Sequence, residues 1–164
     1  MEELETKKYA GIDLGRTSVQ FSIYREGQEE MTEESFLLSE EEQKEYIESG
    51  IRQVERYMET GGLRWPDFQA VHFSMEDASE ENRSKLKSAV SEELRKLHGV
   101  KVITHFRAFA EYVFHQERIM WDRNTLLLDY HDNQLSYVLI DQIRRSKQKA
   151  YRACLLYTSP SPRD

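Results

Sequence analysis

An apolar strand that ends on an acid, turns on small polar residues and returns as a second strand is the feature that most constrains this fold. Tyr9-Ala10-Gly11-Ile12-Asp13-Leu14 is mostly apolar, and Val19, Phe21 and Ile23 then alternate with Gln20, Ser22 and Tyr24. Alternation with period two marks a strand with one buried face, so the stretch predicts a β-hairpin. Its turn carries a carboxylate (Asp13), a glycine (Gly15), an arginine (Arg16) and two hydroxyls (Thr17, Ser18). Such groups suit an anionic ligand with a metal. Glycine lets the backbone approach phosphate, hydroxyls and amides donate to its oxygens, and the aspartate orients metal-bound water. The same residues also make an ordinary polar hairpin turn, and the stretch by itself does not separate the two.

The rest of the chain says what this hairpin belongs to. Thr32 to Leu38 reads as a third strand. Ser39 and Glu42 then form a capping box that opens a helix, with Ile47, Ile51, Val54 and Met58 on one apolar face and Gly61-Gly62 at its end. Trp65-Pro66 falls in the loop beyond. Val71, Phe73 and Met75 alternate as a fourth strand, and Ser79 caps a second helix with the stripe Leu86, Val90, Leu94 and Leu97, stopped at His98-Gly99. Val100, Val102 and Ile103 give a short strand. Phe106, Phe109, Ala110, Val113 and Phe114 fit a third helix, where aromatics at this spacing belong to a core rather than a cofactor box. The order βββ-α-β-α-β-α predicts an α/β fold. It is a mixed five-stranded sheet, a three-strand meander followed by two parallel strands, with helices on its faces.

The opening unit recurs. Thr125-Leu126-Leu127-Leu128-Asp129-Tyr130 is a second apolar strand ending at an acid, 116 residues after the first acid. With Asp129 set on Asp13 there is no gap, and Leu135, Tyr137 and Leu139 fall on Val19, Phe21 and Ile23. The recurrence comes where a second half could begin.

Composition removes several function classes. The 164 residues carry a formal charge of −7, which disfavours a general binder of nucleic-acid backbone. No apolar run approaches the roughly 20 residues of a membrane span, and no signal-peptide pattern opens the chain. The single cysteine, Cys154, allows neither a disulfide framework nor a thiolate metal site, so a cytoplasmic location is the expectation. The five histidines (72, 98, 105, 115 and 131) show no metal-ligand spacing and read as structural or surface residues.

The element order and the two hairpins resemble the actin-like ATPase superfamily of actin, heat-shock chaperone ATPases and sugar kinases. The likeness is greatest to a bacterial family of actin-like ATPase N-terminal domains, over about residues 7–145. The resemblance implies a ribonuclease-H-like lobe over residues 1–120 and the start of a second lobe, truncated, over 121–153. ATP and Mg²⁺ would sit between the two hairpins. Asp13 resembles the acid of the first phosphate motif and would hold Mg²⁺ through water. Gly15, Arg16, Thr17 and Ser18 would contact the phosphates, and Asp129 resembles the acid of the second motif, giving Asp13 and Asp129 as the catalytic pair. Two departures bear on turnover. Tyr130, His131, Asp132, Asn133 and Gln134 stand where active members have glycines. Phe106, with His105 beside it, stands where an acid or amide positions the attacking water. The resemblance therefore implies nucleotide binding by the full-length parent and argues against hydrolysis. The alternative is an actin-like scaffold, without enzymatic activity, used for interaction with a protein partner or for self-association.

Residues 154–164, Cys-Leu-Leu-Tyr-Thr-Ser-Pro-Ser-Pro-Arg-Asp, hold two of the three prolines and the only cysteine. They resemble an in-frame translation of a sequencing adapter, and a natural disordered Ser/Pro tail is the alternative. On the first reading the natural chain runs to about Ala153, and Arg144, Arg145, Lys147, Lys149 and Arg152 are a solvated segment of the second lobe rather than a nucleic-acid patch.

Overall fold

A computed structural model describes residues 6–114, 125–131, 134–145, 148–155 and 159–160. The chain forms two compact units, Met1–His105 and Phe106–Asp164.

The first unit is built on a five-stranded sheet of order β3-β2-β1-β4-β5. β1 (Lys8–Leu14), β2 (Ser18–Arg25) and β3 (Thr32–Leu37) make the antiparallel meander. β4 (Ala70–Met75) joins β1 in parallel, and β5 (Lys101–Thr104) joins β4 in parallel. The mixed sheet expected from the element order is the one observed. Because side chains alternate across a strand, Ala10, Ile12 and Leu14 share one face with Val19, Phe21, Ile23, Val71, Phe73 and Met75, and all are buried. The helices between the strands bury that same face.

Two of the expected helices are each divided. The capping box at Ser39 forms as read, with Ser39 Oγ accepting from the Glu42 amide and the Glu42 carboxylate accepting from the Ser39 amide. It closes only a short helix, α1 (Glu40–Gln43), and α2 (Tyr46–Thr60) begins afresh. The backbone bonds of Lys44 and Glu45 reach back three residues, to Glu41 and Glu42, and Glu45 leaves helical geometry at φ −126°, ψ 53°. Ile47, Ile51, Val54 and Met58 are buried as the period requires. Gly50 lies where α2 meets the hairpin: a Cβ there would stand 2.8 Å from Leu14 Cδ2 and 3.4 Å from Val19 Cβ.

The second division falls at Val90 and Ser91. α3 (Glu80–Ala89) stops at Val90, and α4 (Glu92–His98) starts from its own cap, Ser91 Oγ accepting from the Leu94 amide. The break resets the helical phase. Leu86, Val90 and Leu94 stay buried, but Leu97, expected on the same stripe, is 52% exposed. Gly99 ends α4 with φ +67°, a left-handed conformation that glycine adopts without strain. The Trp65-Pro66 loop is a 3-10 turn (Trp65–Asp67), and Trp65 is a core residue packed beside Phe68.

In the second unit, α5 (His105–Phe114) turns Phe106, Phe109, Ala110 and Val113 onto Leu127. Leu127 lies on β6 (Thr125–His131), which pairs with β7 (Gln134–Arg145), and β7 pairs in turn with β8 (Gln148–Leu155) and with β9 (Ser159–Pro160). Phe106 and Phe109 pack inward, as their spacing indicates. Arg144 and Arg145 lie on β7 and Lys149 and Arg152 on β8, whereas Lys147 falls outside the described residues. The turn residues Asp132 and Asn133 also fall outside them.

Candidate functional site

Asp13 lies near the C-terminal end of β1, on the sheet face opposite the core. In the parallel β1–β4 register its Cα partner is Ser74, and the Ser74 hydroxyl donates to Asp13 Oδ1 at 2.6 Å. His105, the first residue of α5, follows β5 directly, and its Nδ1 lies 2.9 Å from Asp13 Oδ2. An ionised carboxylate only accepts, so Nδ1 carries the proton in this contact. Both oxygens of Asp13 are thus engaged, and the Asp13 and His105 side chains are only 15% and 22% exposed. Three consecutive strand ends, β1, β4 and β5, deliver the three groups to one point.

The hairpin turn beside this cluster is Gly15 to Ser18. The Gly15 amide donates to the Ser18 carbonyl at 2.9 Å, and the Leu38 amide donates to the Thr17 carbonyl at 2.9 Å. The turn is therefore held from within and by the segment after β3. Gly15 is not among the glycines with positive φ, which are Gly27, Gly62 and Gly99. Arg16 and Thr17 are exposed and Ser18 is half-buried. Burial pushes the Tyr46 phenol up, and the Arg16 guanidinium opposes that shift.

Of the six residues singled out from the sequence, Asp13, Gly15, Arg16, Thr17 and Ser18 share this hairpin. Asp129 lies on β6 in the second unit, half-buried. The two hairpins have the same backbone register: Asp13 pairs with Gln20 and Asp129 with Ser136, seven residues on in each. They differ at the turn. The first ladder ends at Leu14–Val19 and leaves four residues in the loop, whereas the second continues to His131–Gln134 and leaves two. Ser74 was not anticipated at the site, and His105 was anticipated there only as the neighbour of Phe106. Ser74 sits at an off-core position of an alternating strand, where serine is ordinary, and His105 was read as structural or surface.

A metal held through water is compatible with a carboxylate in this position, which accepts at about four sites. Direct ligation by several side chains is not: among the described residues no group of three or more His, Cys, Asp or Glu converges on a point. The residues thus fit Mg²⁺ bound through water. Among the described residues, no helix is long and apolar enough to cross a membrane.

Residues 23–154 match the C-terminal model of a family of unknown function, DUF5716. The chain belongs to the DUF5716 family. No curated protein matches it. Among solved structures, the DUF5716 chain is similar to YeaZ from Pseudomonas aeruginosa, with a TM-score of 0.52 at 9% identity over 92% of this chain and 67% of that one. It is also similar to an exopolyphosphatase from Cytophaga hutchinsonii, with a TM-score of 0.52 at 15% identity over 89% of this chain and 50% of the other. The DUF5716 chain spans half to two thirds of the length of these two neighbours. At such identities the likeness concerns the fold, which is the actin-like, ribonuclease-H-like lobe expected from the hairpin and the element order.

Proposed function

We propose that this chain is part of an actin-like protein that binds Mg·ATP between its two Asp hairpins, the Asp13 turn supplying the first set of phosphate contacts. The observation that supports this most is the fixing of Asp13 by Ser74 and His105 beside an exposed hydroxyl turn. A carboxylate used only to close a hairpin has no need of two partners drawn from β4 and α5. In this reading Thr17 and Ser18 donate to phosphate oxygens, Arg16 supplies a compensating positive charge, and Asp13 orients water on the metal. Magnesium, when bound, would neutralise phosphate charge; the chain's own groups bind and position. Asp129 has the equivalent register, but no glycine follows it in the turn, so the second hairpin is the weaker half.

A second reading has one observation in its favour. The Asp13–His105 contact already engages one oxygen of the carboxylate, as suits a scaffold of this fold that binds protein partners and turns nucleotide over slowly or not at all.

Calorimetric titration of the full-length protein with Mg·ATP separates the two. The nucleotide reading expects saturable heat in the wild type, at least tenfold weaker binding in Asp13→Ala, and a smaller loss in Asp129→Ala. No heat at millimolar nucleotide, with Asp13→Ala equally silent, would favour the scaffold and overturn the nucleotide site.

A further inference from the structure

At the end of the sheet opposite Asp13, a groove of about 680 Å³ is lined by Lys7, Lys8, Arg25 and Arg64, with Gln28 and Gln69 between them. Lys8 and Asp13 are five residues apart on β1, so the two places are separated by roughly 17 Å along the strand. Nothing in the hairpin reading uses these residues.

The charges in this groove are poorly compensated. Asp67 is the single carboxylate of its lining, and its Oδ2 is turned to the Arg64 backbone amide. Lys7 has a loose ion pair with Glu26 at 3.7 Å, both side chains 57% exposed. The Arg25 guanidinium donates to a neutral hydroxyl, Thr32 Oγ1, at 2.9 Å. Among the described residues, no carboxylate lies within ion-pair distance of Lys8 or Arg64. Moreover, Lys8 and Arg25 are direct cross-strand partners in the β1–β2 register. Like charges placed directly opposite destabilise an antiparallel pair, and a bound anion removes that cost. This concentration of positive charge stands out on a chain of net charge −7.

We propose that this groove is a binding site for a small phosphorylated ligand carrying two or more linked phosphate groups. Its volume lies within the ordinary range for small-molecule sites. Four cations facing one carboxylate call for several negative charges within a short length, which a di- or triphosphate supplies. The arginine forks of Arg25 and Arg64 match phosphate oxygens in pairs, the lysines act as point charges, and the glutamine amides can donate as well. Pro66 and Phe68 give the groove an apolar wall for the remainder of the ligand.

Tripolyphosphate is the probe, titrated calorimetrically into the whole chain with EDTA present so that no magnesium-dependent site contributes. Binding is expected to weaken about tenfold in Lys8→Gln and in Arg64→Gln, and to be unchanged in Asp13→Asn. It should also fall steeply as salt rises. Thermal melts give an independent reading. Without ligand, Lys8→Gln is expected to melt at or above the wild type, because a like-charge neighbour has gone, and tripolyphosphate should no longer raise its melting temperature. Arg64→Gln, an exposed position, carries the test should Lys8→Gln fail to fold. The proposal is overturned if tripolyphosphate does not bind, or if its binding is lost in Asp13→Asn and kept in Arg64→Gln. Tighter binding of a penta-glutamate peptide than of tripolyphosphate would overturn it equally, pointing to an acidic protein segment instead.

Discussion

With Ser74 on one oxygen and His105 on the other, Asp13 is a carboxylate whose direction is set by residues 61 and 92 positions away in the chain. Hydrogen bonds to a charged group contribute about 1.5–3 kcal/mol, so Ser74→Ala should cost that order of stability in urea denaturation of this chain. A loss below about 0.3 kcal/mol would mean that the contact holds nothing. Asp13 itself was legible in the sequence, because an acid closing an apolar run beside glycine and hydroxyls is a local pattern. Its partners were not. Only the parallel pairing of β1 with β4 brings Ser74 opposite Asp13, and no local signal in Ser74 or His105 announces that register. A different residue tests how burial sets charge. Glu55 is pushed up by desolvation, with the Trp65 indole acting against the shift. A raised carboxylate pKa penalises the folded state at pH values above the unfolded pKa and leaves it unaffected below. Glu55→Gln should therefore raise the melting temperature near pH 7 and lose that advantage near pH 4, a pattern that thermal melts at the two pH values would show.

Elements were legible where a period and a cap agreed. The Ser39–Glu42 box, the Ile47-Ile51-Val54-Met58 face and the glycine stop after α4 all lie where the sequence puts them. The second break was missed because the stripe Leu86-Val90-Leu94 continues across it, and the first because the capping box was joined to an apolar face that begins only at Ile47, beyond the break. A signal for the second was available: Ser91 followed by Glu92 and Glu93 is an N-terminal pattern in its own right. The break makes a sharp contrast between two leucines of α4. Leu94→Ala should cost about 2–5 kcal/mol, as large-to-small changes in a core do, while Leu97→Ala should stay within about 0.5 kcal/mol. Equal losses on chemical denaturation would restore the continuous stripe. Gly50 makes another element-scale prediction. Its missing side chain lets α2 approach Leu14 and Val19, so Gly50→Val should lose about 1–3 kcal/mol by overpacking, although valine is the better helix former.

Over the whole molecule, the chain carries one strand–Asp–turn–strand unit twice, with the same seven-residue offset across each hairpin. That repetition was visible in the sequence because strand alternation and a terminal acid both survive in it. The difference in turn length was not, since a ladder continuing to His131–Gln134 depends on backbone pairing rather than on residue type. The inequality of residue types bears on function: Thr17 and Ser18 put two hydroxyls in the first turn. The proposed site therefore leans on the first hairpin, and amide hydrogen exchange of the full-length protein with and without Mg·ATP tests that most directly. Nucleotide should slow exchange across residues 14–18, and Asp13→Ala should abolish the protection. Unchanged exchange at residues 14–18 while nucleotide protects another region would contradict the account.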